Sequence, residues 1–156
     1  MMGAVFVPTS VFGDTPGLQH EWTQTVRAAG ADGIEIRREL FPPGKLPLAE
    51  CREANRTSSL RCIYSVPMEL WDENGRLNEK QLSEILEETG ILRPEMLKVS
   101  LGHFVAVGAA RTAGVRKSSQ GQVSRSCDER LIRLGVMLDQ YRTLHGPLTL
   151  LVENDQ

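Results

Sequence analysis

The chain has 156 residues, 40% of them hydrophobic and 24% charged, with a formal net charge of −2 and a pI near 5.9. That size suits one domain with a real core, and the mild acidity excludes the basic field that nucleic acid or an anionic membrane surface selects. No apolar run approaches the roughly 20 residues of a membrane helix. No basic leader precedes the first strand-like run, and Cys51, Cys62 and Cys127 lack metal-knuckle spacing, which together read as a cytoplasmic protein with reduced thiols.

Residues 4–12 are apolar and β-rich, interrupted by Pro8, and predict a first strand running into a polar loop. Asp14, Thr15 and Pro16 have the chemistry of a helix start. Leu18, Trp22, Val26 and Ala29, spaced by three and four, predict a helix over 18–29 with one buried stripe, stopped by Gly30. A second strand spans 33–41, with Ile34 and Ile36 on one face and Glu35 and Arg37 on the other. Pro42, Pro43 and Gly44 break the chain. A short helix over 48–56 and a third strand over 60–66 follow. Next comes a loop carrying Met68, Glu69, Leu70 and Trp71, with a turn at Asn74-Gly75.

Asn78, with Gln81 three residues on, has the pattern of a capping box. Its helix is apolar along Leu82, Ile85 and Leu86, and Gly90 and Pro94 end it. The fourth strand is 97–101, closed by Gly102 and His103. Residues 105–122 turn small and polar and predict a flexible loop, long enough to serve as a lid. A long amphipathic helix over 123–144 carries Leu131, Leu134, Met137, Leu138 and Tyr141. After Gly146-Pro147 a last strand over 149–152 delivers Glu153, Asn154, Asp155 and Gln156 to its end.

Strands alternating with helices imply parallel pairing and right-handed crossovers, hence an α/β domain over residues 1–156. No GxGxxG, GxxxxGK[ST] or GxSxG pattern is present, which removes the usual nucleotide-binding and serine-hydrolase readings. Polar residues follow every strand, which favours a (β/α) barrel over an open flavodoxin-like sheet. The open sheet would need a phosphate loop after the first strand, where Pro8, Thr9 and Ser10 are only a faint candidate.

Three pieces carry a family resemblance: Gly30-Ala-Asp-Gly-Ile-Glu-Ile-Arg37, Leu97-Lys-Val-Ser-Leu-Gly102 and Leu150-Leu-Val-Glu-Asn-Asp-Gln156. In this order and spacing the chain resembles the xylose-isomerase-like sugar (phosphate) isomerases and epimerases of the TIM-barrel class. The resemblance implies a divalent ion (Mn, Mg, Co or Zn) held by carboxylates and a histidine at the ends of the later strands. Glu153 matches the first of those ligands and one of two glutamates that move a proton through an enediol; the isomerase branch uses a hydride shift instead. Glu35 matches a residue facing the sugar. A full barrel has eight units in about 250 residues, and five units are legible here. The expectation is therefore the N-terminal portion of such an enzyme, without turnover on its own.

Each candidate has a plainer reading. Glu153 is either a metal and catalytic position or a strand-end carboxylate bonded to a nearby loop. Glu35 either faces substrate or pairs with Arg37. His103 is either a catalytic contact or an ordinary loop histidine, and Trp71 either walls a sugar ring or packs beneath its loop. His20 and His145 read as surface residues, and Ser65 and Ser100 as locally satisfied. Val99, Leu101, Leu150 and Val152 are assigned to the barrel interior, where an incomplete arc would leave them open and favour a homo-oligomer. Two other classes stand beside the sugar enzyme: a non-catalytic interaction module, and an endonuclease-IV-like repair enzyme that would need more histidines and a basic face.

Overall fold

The computed structural model describes residues 3–13, 19–103 and 120–154, with backbone only for 120–128. Five strands, β1 (Phe6–Pro8), β2 (Gly33–Arg37), β3 (Arg61–Trp71), β4 (Met96–Gly102) and β5 (Thr149–Glu153), form one sheet. Every pairing is parallel, and the strands lie in the order in which they occur, β1-β2-β3-β4-β5. Doubly wound sheets reverse their order at a switch point; this one does not. Helices α1 (Thr23–Ala28), α2 (Leu48–Thr57), α3 (Glu79–Leu92) and α4 (Gln120–His145) supply the four crossovers. The sheet is open, with β1 and β5 as its edges.

The period of two divides the sheet into two unlike faces. Ile34 and Ile36 of β2, Cys62 and Tyr64 of β3, and Leu97 and Val99 of β4 all point into the core. They meet Val26 of α1, Leu48 and Cys51 of α2, Leu82, Ile85 and Leu92 of α3, and Met137, Leu138 and Tyr141 of α4. Among the described residues this is the main core, and the helices cover one side of the sheet. Val99 therefore faces the helices, not a barrel interior. Leu101 and Leu150 also pack against that core, and Val152 shares their face by register. The interior assignment of these four is corrected: an apolar strand residue carries no mark of which side it belongs to.

Several boundaries shift for identifiable reasons. The first strand ends at Pro8 and continues as a 3-10 turn over Thr9–Phe12, and the second gives way to one over Arg38–Leu40. The helix over 18–29 becomes a 3-10 turn, Gln19–Trp22, followed by α1; Trp22 stacks on Phe12 with 4.5 Å between ring centroids, while Ala29 is exposed. The start proposed at Asp14, Thr15 and Pro16 lies outside the described residues. β3 runs on through the expected loop as far as Trp71. Its register slips between Ser65 and Glu69, and there Pro67 costs no regular ladder bond.

Asn78 precedes α3 without a side-chain cap; its amide instead donates to the Glu69 carbonyl at 2.7 Å. α3 runs past Gly90 to Leu92 and ends at Arg93 in the left-handed region. Gly90 faces α4 closely: a Cβ there would stand 3.0 Å from the His145 imidazole, which would have to give way. The expected lid falls largely outside the described residues, and Gln120–Gln122 belong to α4. Leu131 of α4 is exposed, and His20 and His145 are half-buried, contrary to expectation. Cys51 and Cys62 are buried free thiols, with burial pushing Cys51 up to about 12. No helix among the described residues is long and apolar enough to cross a membrane.

Candidate functional site

The face turned away from the helices carries the other strand residues, and the register stacks them in rows. Pro8, Glu35, Ile63, Met96 and Thr149 lie side by side. The next row is Arg37, Ser65, Lys98 and Leu151, and above it Glu69, Ser100 and Glu153. Here the polar residues gather, towards the C-terminal ends of the strands, where α/β proteins build their sites.

Lys98 is the centre of this face. Its ammonium nitrogen lies 2.9 Å from Glu153 Oε1 and 3.3 Å from Glu35 Oε1. The lysine springs from β4, yet it reaches back across β3 to β2 and sideways to β5. Burial by itself would lower the Lys98 pKa; the hydrogen bond to Glu153 and the charge of Glu35 outweigh that and hold it above its usual value. Side-chain exposure is 13% for Glu35, 21% for Lys98 and 54% for Glu153. Glu35 is thus the walled-in member, and Glu153 is the one a solute meets first.

The other sequence candidates stand apart from this trio. Glu35 does not pair with Arg37, which forms an ion pair with Glu39 at 2.7 Å. His103 follows β4, exposed, with Nε2 3.9 Å from Glu69 Oε2. Trp71 lies within β3, not in a loop, and is buried. Leu77 bridges to it, and the Arg130 guanidinium lies 5.5 Å from its ring centroid while donating to the Gly75 carbonyl. Ser65 is buried on the open face beside Lys98. Asp155 and Gln156 lie outside the described residues.

Two polar clusters hold the strand ends around the site. Thr9 donates to the Gln19 side-chain oxygen at 2.6 Å. Gln19 accepts from the Arg37 amide at 2.9 Å and donates to the Arg37 carbonyl at 2.8 Å, which ties the top of β2 to the turn before α1. On the helix side, Arg38 donates twice to Glu88 of α3, at 2.9 and 2.8 Å, and the Tyr64 hydroxyl donates to the same carboxylate at 2.7 Å. Burial pushes the Tyr64 hydroxyl up, so it remains a donor. Burial would raise Glu88 as well, but the bonds from Arg38 and Tyr64 win and lower it.

The donor set does not fit a divalent metal. Among the described residues no three His, Cys, Asp or Glu side chains group as metal ligands. Glu153 is one carboxylate, and a lysine ammonium already sits against it. Such ions are usually fixed by further oxygen or nitrogen donors. What the trio can do is bind hydroxyl groups: carboxylates accept, and the ammonium donates to a carbonyl or hydroxyl oxygen.

The fold and this face together define an α/β protein whose all-parallel, sequentially ordered sheet is helix-covered on one side and bears a charged site on the other. No protein-family model matches the chain, and no curated protein does.

Lys98 is the site residue not among those expected from the sequence. A signal was available. It is the one charge inside Leu97-Lys-Val-Ser-Leu101, out of phase with Leu97 and Val99, and so on the same side of the sheet as Glu35.

Proposed function

We propose that this chain is the N-terminal portion of a TIM-type (β/α) barrel of the sugar (phosphate) isomerase and epimerase kind, binding a ketose or aldose on the open face of the sheet. The observation that carries this reading is the meeting of Glu35, Lys98 and Glu153 near the C-terminal ends of parallel strands laid down in sequential order. Sequential order is that of a barrel arc. A contact spanning β2 to β5 suits a concave surface. In this role the carboxylates of Glu35 and Glu153 accept sugar hydroxyls, and Lys98 donates to the oxygen on which negative charge develops.

The exposed flank supports incompleteness independently of the chain's length. Leu131, Ile132 and Val136 of α4 and Val152 of β5 are all exposed, where a further βα unit or a second copy would cover them. The expected outcome is no isomerase turnover by the chain alone, with or without Mn²⁺, and ketose-induced shifts of the amide resonances of β2, β4 and β5. Metal-dependent conversion by the chain alone would overturn its incompleteness. Sugars that leave those resonances unmoved would overturn the sugar reading. A non-catalytic binding module is the second reading, favoured by the Lys98 ammonium lying against both carboxylates.

A further inference from the structure

The carboxylate pair already has its cation. Glu35 and Glu153 each place an oxygen within 3.3 Å of the Lys98 nitrogen, and a divalent ion sharing those carboxylates would need its oxygens at about 2.0–2.6 Å. An ion in that position would overlap the ammonium. We propose that Lys98 is a built-in counter-cation that keeps the Glu35–Glu153 pair closed to divalent metals. The lysine is not an idle surface group. Its side chain is 21% exposed and rooted in a central strand. Swinging it away would leave Glu35, 13% exposed, without that partner. Two carboxylates and one ammonium also leave a net negative site, which favours neutral hydroxyls over a phosphate group. This inference concerns cation binding and does not depend on the sugar reading.

The test is Mn²⁺ titration of the full chain at neutral pH, following paramagnetic broadening of the Glu35 and Glu153 carboxylate carbons. In the wild type the pair stays sharp at concentrations where Lys98→Met, which removes the competing charge, binds at least about tenfold more tightly. Lys98→Arg keeps the charge and behaves as wild type, and adding Glu153→Gln to Lys98→Met abolishes the gain. Selective broadening of both carboxylates in the wild type at the affinity of Lys98→Met overturns the proposal, as does a folded Lys98→Met that gains nothing. Should Lys98→Met fail to fold, the wild-type broadening decides alone: sharp carbons support the proposal and selectively broadened ones overturn it.

Discussion

Leu97 and Lys98 are neighbours in β4 and belong to different worlds. Leu97 is fully buried among helix side chains, and Lys98 stands on the open face between two carboxylates. The same contrast repeats at Ile34 and Glu35 and at Tyr64 and Ser65. One face of the sheet holds the fold together and the other is free to hold charge, because hydrophobic burial dominates stability while exposed ion pairs contribute little. Substitutions one residue apart should therefore read out different properties.

The largest effect belongs to the dry face. Leu97→Ala should cost about 2–5 kcal/mol, seen as a lowered denaturant midpoint; a loss below about 1 kcal/mol would show that the helix side is not the principal core. Gly33→Ala should cost about 1–3 kcal/mol, since a Cβ there would overlap the Phe6 ring and approach the Arg61 carbonyl oxygen to 2.8 Å.

Glu88→Gln should cost about 1–3 kcal/mol, tempered by the partial exposure of Arg38. Because Glu88 is lowered when folded, its contribution is complete above the ordinary carboxylate range and is lost as pH falls through the lowered value. The wild type should thus lose stability on acidification more steeply than Glu88→Gln, as acid titrations of unfolding would reveal. Lys98→Met should cost least, about 1–2 kcal/mol, because half-exposed Glu153 loses little while Glu35, 13% exposed, loses its ammonium partner. A loss as large as that of Leu97→Ala would erase the division between the faces.

Much of this architecture could be read in advance. Five strands alternating with helices are legible because Ile34 and Ile36, or Leu82, Ile85 and Leu86, repeat with the right period and are bounded by Gly and Pro. The extent of β3 was not legible, because Pro67 reads as a stop unless the strand's neighbour is known to slip past it. Asn78 carries capping chemistry, but its amide reaches a strand carbonyl brought close only by the tertiary fold. At the site, Glu35 and Glu153 were visible as strand-end carboxylates. Their union through Lys98 was not, since it spans four strands and 118 positions of sequence number from 35 to 153. Trp71 reads as a loop aromatic from sequence because the cover from Arg130 comes from a distant helix.

The lower end of the open face has its own consequence. Phe6 fills the recess left by Gly33, the Arg61 guanidinium rests 5.1 Å from its ring centroid, and Glu95 grips that arginine twice at 2.6 Å. That stack closes off the N-terminal end of the face, below Glu35. A solute therefore reaches Lys98 from the C-terminal ends of the strands or across the open sheet, past half-exposed Glu153 and away from the aromatic plug.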